Sequence, residues 1–258
     1  MLGNNRVASP SSIKSNNILL PLYIYPSPGA WDPLFRAVQK YHRITFIIIV
    51  NPNNGPGGRG YKKDGDHDHG AILLPDNNYK REILKLNSYA NVKTVGYVST
   101  RWAHRELRFA LSDVAIYSNW SKYPSSTPGL GVKGIFLDET VTQYNNSGAF
   151  FLGELTSFIR SNENFGPDAL IIHILQIIHN PGAFPDPRYM SYCSIAVVFE
   201  DSYSKYQQRY NDDFLMTVNK FQKAANIGRD AIACIIHSLT LPNEMCSEEA
   251  RKKVIQNT

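Results

Sequence analysis

Three carboxylates stand where the chain leaves an apolar run. Asp138 and Glu139 close "GIFLDE" at 134–139, and Glu200 closes "VVFE" at 197–200. Desolvating a charge is costly, so an acid at the end of a buried strand caps a helix, meets a surface cation, or belongs to a site. Two facing carboxylates are the apparatus of glycosidic-bond cleavage: one protonates the leaving oxygen, and the other attacks the anomeric carbon or activates water. Burial and the neighbour's charge would hold the proton on the first of them. Spacing alone equally admits an acid/base lyase or a metal-assisted enzyme. Other polar residues close runs of the same kind: Tyr23 and Tyr25, Asn51 and Asn53, Tyr97 and Thr100, Gln176 to Asn180, and His237.

The elements that must position these groups are short, β-branched and apolar on both faces, as strands of a helix-covered parallel sheet should be. They fall at 19–25 (LLPLYIY), 44–50 (ITFIIIV), 92–98 (VKTVGYV), 132–137, 170–175 (LIIHIL), 195–199 (IAVVF) and 231–236 (AIACII). Helices are expected between them. Asp32-Pro33 offers a cap and a first-turn proline, Asp76 and Thr100 open two further amphipathic stretches, and 147–160 and 206–225 supply two more. The alternation predicts an α/β fold of the (β/α)8 TIM-barrel type, with its site at the carboxyl ends of the strands. Only seven strands are found. After Ile236 the chain runs into a basic-ended helix capped by Ser247, so the eighth strand is expected to be missing or replaced. The expected organisation is a flexible segment at 1–18 and one barrel domain at 19–258.

Along a regular strand side chains alternate, so an inward Phe136 predicts an inward Asp138 and an outward Glu139, unless the strand end relaxes. Glu200 lies two strands further round, about 9–10 Å away between backbones. Side chains leaning over the mouth would bring it within the range of about 5–9.5 Å of paired glycosidase acids.

Other classes find little support. Net charge is +5 and the basic residues are scattered, a poor footprint for nucleic acid. No run approaches a membrane span, and the N-terminus lacks the apolar region of a signal peptide. Three cysteines without a C-x-x-C pair argue against a disulfide framework and a zinc site. "DGDHDHG" (64–70) fails as a calcium loop, because His69 and Pro75 stand where Gly and Glu are needed. "NPNNGPGGRG" lacks the Gly-Lys-Ser/Thr ending of a phosphate loop. No metal and no cofactor are expected.

Several stretches, in order, resemble spherulation-specific family 4, the spherulin-4-like proteins. They are "PLYIYPSPGAWDPLF" (21–35), "IVNPNNGPG" (49–57), "NVKTVGYVSTRWAHR" (91–105), "GIFLDE", "NPGAFPDPRY" (180–189), "VVFE" and "IIHS" (235–238). The resemblance implies a TIM-barrel glycoside hydrolase acting on α-1,4-linked galactosamine or N-acetylgalactosamine in fungal galactosaminogalactan. The family's acids carry over to Asp138 as nucleophile or stabiliser, Glu200 as general acid/base, and Glu139 as an orienting group, with the roles of Asp138 and Glu139 exchangeable. Tyr23, Tyr25, Asn51, Tyr97, Asn180 and His237 become groove residues. The implied partner is an amino-sugar polysaccharide, and the implied location is extracellular or cell-surface, against the missing leader. A catalytically weak or inactive polysaccharide-binding relative is the alternative. Ser99 departs from the family's Y-V-H-T pattern by replacing the imidazole, and "GRGYKKDGDHDHGAILL" (58–74) and "QIIH" (176–179) look like insertions.

Overall fold

The computed structural model describes residues 17–57, 73–123, 129–165 and 176–239. Within them seven strands run parallel in sequential order: β1 Asn17–Leu22, β2 Thr45–Val50, β3 Val92–Ser99, β4 Gly134–Asp138, β5 Gln176–Asn180, β6 Ile195–Ser202 and β7 Ile232–His237. β1 and β7 approach each other but share no ladder, so the protein is an α/β barrel with one unsealed seam. Residues 1–16, 58–72 and 240–258 lie outside the described set, and with them the histidine-rich loop, the Ser247 helix and all of the expected segment 1–18 except Asn17 and Ile18, which open β1.

Strand alternation divides the apolar residues into two layers. Ile47, Ile49, Val95, Tyr97, Phe136, Ile178, Ile195, Val197 and Ile235 fill the barrel, while Phe46, Ile48, Val50, Val98, Ile135, Leu137 and Val198 face the helices. Those helices are α1 Asp32–Lys40, α2 Asn77–Asn87, α3 Leu107–Asn119, α4 Asn146–Arg160, α5 Tyr203–Arg209 and α6 Asp212–Ala225. Close approach of α3 to the sheet depends on Gly96, where a Cβ would stand 2.6 Å from the Tyr117 ring. The Tyr117 hydroxyl donates to the Val50 carbonyl and accepts from the Tyr97 N–H, each at 3.1 Å, so the ring has nowhere to retreat.

Four expectations are corrected. The fifth strand of the described residues is "QIIHN" itself, the stretch that looked like an insertion, while 170–175 lies outside the described residues. The helix expected from Thr100 begins only at Leu107, because Arg101, Trp102 and Ala103 are all left-handed, at φ 50°, 52° and 63°. The single helix expected over 206–225 is two, broken at Tyr210, with the Asn211 side chain capping α6 through the Phe214 N–H. Asp32 is the first residue of α1 rather than its cap; Trp31 takes that place, its indole N–H donating to the Ile24 carbonyl at 2.9 Å. Asp76 does cap α2, accepting from the Asn78 and Tyr79 N–H groups.

His179, on the outer face of β5, is buried with no partner for Nε2 among the described residues. Burial, and then the Arg160 charge, lower its pKa to about 3. The unfolded chain takes up the proton near pH 6.5 and the folded one does not, so stability falls as pH drops below that value. The midpoint of urea unfolding should correspond to a loss of about 2 kcal/mol between pH 7.5 and pH 5 from this residue. His179→Leu should flatten that slope, and an unchanged slope would place the acid sensitivity elsewhere.

Candidate active site

Two local departures from regular strand geometry bring the three acids to one rim. On β6, Ile195 and Val197 face the barrel, so simple alternation would send Phe199 inward and Glu200 outward. A register shift between Val197 and Phe199 against β7 inserts one residue and pairs Glu200 with the inward Ile235. Phe199 instead packs among Tyr206 and Phe214 on the helix side. Bulges beside active sites re-aim side chains in this way.

The second departure is at the end of β4. Phe136 and Asp138 face inward as expected. Glu139 then takes φ 55°, a left-handed conformation rare outside glycine and asparagine, and the pleat ends there. Its carboxylate turns to accept from the Ser99 hydroxyl at 2.6 Å, and Ser99 continues the inward series of Val95 and Tyr97. The outward Glu139 of a regular pleat is thereby corrected. Thr100 holds the turn, its hydroxyl donating to the carbonyls of Asp138 and Glu139 at 3.0 and 2.8 Å.

Asn180 joins the acids. It pairs with Asp138 in the β4–β5 register, and its Nδ2 donates to Asp138 Oδ1 at 2.7 Å and to Glu200 Oε2 at 2.6 Å. Its Oδ1 accepts from the Gly182 N–H at 3.1 Å, which fixes the amide orientation by its hydrogen bonds. Gly182, at φ 66°, supplies the turn that allows this. The acceptor oxygens of Asp138 and Glu200 therefore stand no further apart than two short hydrogen bonds laid end to end. Asp138 Oδ2 accepts from the Tyr97 hydroxyl at 2.7 Å, so both its oxygens are engaged, while Glu200 is exposed to solvent.

Tyr97 and Tyr23 pack edge to face at 5.9 Å. Burial first, and then the charge of Asp138, push both phenols well above their ordinary pKa, with Glu200 adding to the shift of Tyr23. Both hydroxyls therefore remain protonated and available as donors. Half-exposed Tyr23 stands beside the acids as a ring at the mouth.

The site thus gathers Asp138, Glu139, Glu200, Asn180, Tyr97 and Tyr23. The other three candidates have partners elsewhere. Tyr25 packs on Tyr79 and its hydroxyl accepts from Asn78; Asn51 Oδ1 accepts from the Gly55 N–H and shapes its own loop; exposed His237 pairs with Ser238. Sequence reading missed the constructive part of Ser99, whose parity with Tyr97 was the available signal, and the clamp of Thr100. Among the described residues no group of three or more His, Cys, Asp or Glu could hold a metal ion, and no helix is long and apolar enough to cross a membrane.

The profile of spherulation-specific family 4 matches residues 17–258. Spherulin-4 of Physarum polycephalum is 33% identical over 193 residues, covering 75% of this chain and 47% of its own length, so the chain spans about half the length of that curated relative. The crystal structure of Aspergillus clavatus Sph3 in complex with GalNAc superposes with a TM-score of 0.73 at 36% identity, over 94% of this chain and 85% of the other. The GH6 Orpinomyces sp. Y102 enzyme follows at 12% identity and a TM-score of 0.40, over 70% and 57%, too loosely to bear on function. From β1 to the end of the sequence, with its acids gathered at the carboxyl rim of the barrel, the chain belongs to spherulation-specific family 4.

Proposed function

We propose that the protein is a glycoside hydrolase that cleaves α-1,4-linked galactosamine or N-acetylgalactosamine polymer, with Asp138 as nucleophile and Glu200 as acid and base. The observation that carries this reading is the Asn180 amide, which draws the two carboxylates together across the mouth of the barrel. Their closest oxygens fall at or below the separation of about 5–5.5 Å typical of retaining enzymes, too close to seat a water between them. Solvent-exposed Glu200 gives its proton to the glycosidic oxygen as Asp138 attacks C1, and the C–O bond breaks toward the leaving sugar. Glu200 then takes a proton from the water that displaces Asp138. Tyr97 and Asn180 hold the attacking carboxylate in place, and Glu139, tied to Ser99, orients the sugar.

The GalNAc held by the similar Sph3 supports an amino sugar as the bound unit. A partly deacetylated polymer is cationic and the chain carries +5, so capture relies on the acids and on ring stacking rather than on long-range steering. One feature favours the alternative of a binding protein with little turnover: a neutral serine stands beside Glu139 where the family's pattern carries an imidazole. Reducing-end release from purified polymer, with the anomer of the first product read by proton NMR, tests the proposal. Retained α product is expected from the wild type and none from the Asp138→Asn/Glu200→Gln double variant. Binding without release in both would establish the alternative.

A further inference from the structure

The loop between β3 and α3 contains a conformation that its sequence does not favour. Arg101, Trp102 and Ala103 are left-handed in succession, nearly one turn of the disfavoured helix, and none of them is glycine. Such strain persists only where the surroundings enforce it, and it concentrates at ligand sites.

Here the enforcement is visible on both sides. At the start, the Thr100 hydroxyl and N–H and the Trp102 N–H bond the carbonyls of Asp138 and Glu139, the last at 2.6 Å. At the end, the Arg105 guanidinium donates to the Ser99 carbonyl at 2.8 Å and pairs with the buried Asp113. The Trp102 backbone is thus bolted to the backbone of Glu139, yet its side chain contributes little to the core: Trp102 is 55% exposed, whereas Trp31 and Trp120 are 2% and 0% exposed. A scattered exposed apolar residue needs no explanation. A large aromatic ring held out to solvent by a clamped, strained loop beside the acids does.

We infer that Trp102 is a stacking platform for a sugar unit one or more residues beyond the cleavage point, and that it sets the preference for longer chains. This rests on the proposed amino-sugar hydrolase. An indole presents a rigid apolar face to the C–H face of a pyranose and loses little entropy in doing so. The Tyr23 ring lies beside Asp138 and Glu200, and the Trp102 backbone, hydrogen-bonded to that of Glu139, roots a second exposed ring at the neighbouring strand end.

Cleavage of α-1,4-linked N-acetylgalactosamine oligomers of graded length tests the platform. Trp102→Ala should lower kcat/KM by about tenfold or more on the longest oligomers and by no more than about twofold on the shortest one cleaved, and Trp102→Phe should recover most of the loss. Trp102→Gly should show the same length-dependent loss while its Tm rises by a few degrees, because glycine accepts the left-handed backbone; a purely structural tryptophan would lower both. In the Glu200→Gln background, where oligomers stay intact, a long oligomer should change the tryptophan emission, which Trp102 alone exposes to it. Equal losses at every length, or no emission change at saturation, would overturn the platform while leaving the hydrolase reading intact. A folded wild type that binds and cleaves no oligomer would overturn the hydrolase reading and the platform with it.

Discussion

Glu200→Gln should lower kcat on the amino-sugar polymer by about 10²–10⁴-fold, the usual worth of a positioned proton donor. The loss should shrink sharply on an aryl glycoside of a short oligomer, whose leaving phenolate needs no proton. The glutamine keeps an oxygen that accepts from Asn180 Nδ2, so the fold and sugar binding should persist. Asp138→Asn should behave differently. Its loss should be as large on the aryl substrate as on the polymer, because attack at C1 is needed whatever leaves. Asn180 can still donate to the new amide oxygen, and the Tyr97 hydroxyl can turn to accept from the new NH₂, so that variant too should fold. Initial rates on the two substrates decide the assignment. Equal losses for Glu200→Gln on both would remove it from the acid role, and a leaving-group-dependent loss for Asp138→Asn would exchange the two.

Much of this was legible in the sequence because parallel strands covered on both sides advertise themselves as continuous apolar runs, and the residues that end them must lie at the same rim. Asn180, five residues past the expected end of the fifth strand, comes from the family resemblance, whereas Asp138 and Tyr97 follow from that rule together with simple alternation. Glu200 does not. Counting inward residues along β6 from Ile195 sends it out of the barrel, and the register shift that brings it in has no glycine or proline to announce it. Glu139 likewise reaches the rim only because its own backbone turns left-handed, a choice imposed by Thr100 and Trp102 holding its carbonyl. The fifth strand was misplaced because "LIIHIL" and "QIIHN" are equally strand-like and adjacent; pairing with both β4 and β6 identifies the second as a strand, and neither run carries that information locally. The stretch after Thr100 has ordinary helix-forming residues and a plausible cap, yet tertiary hydrogen bonds outweigh propensity there for one full turn. The failures at Glu139, at Glu200 and in the loop after Thr100 lie beside the acids, as expected of a site whose geometry is held by the rest of the fold, while the break at Tyr210 and the Trp31 cap are ordinary errors of local reading.

Asn180→Asp should do more damage than Asn180→Ala, although it changes only NH₂ to O. In the wild type one amide nitrogen supplies a hydrogen to each of two carboxylates at 2.7 and 2.6 Å, and the whole group is buried at the mouth. Alanine removes both bonds and lets Asp138 and Glu200 separate, which should cost about 10²-fold in kcat through lost positioning. Aspartate removes both bonds and adds a third negative charge between the other two. Loss of two charge-assisted bonds predicts about 3 kcal/mol or more of destabilisation at pH 7. Burial and the flanking acids would raise the new carboxyl's pKa, so the folded variant binds a proton that the unfolded chain has already released. Its stability should therefore recover as pH falls through that raised value, when the protonated acid can again donate one hydrogen bond, and fade as pH rises. The alanine variant should show no such recovery. Denaturant unfolding of both variants at pH 4.5 and pH 7.5, corrected for the slope that His179 gives every variant, reads this directly. An aspartate variant as stable as the wild type at pH 7.5 would mean that the carboxylates do not converge on Asn180, and the close pairing on which retention rests would fall with it.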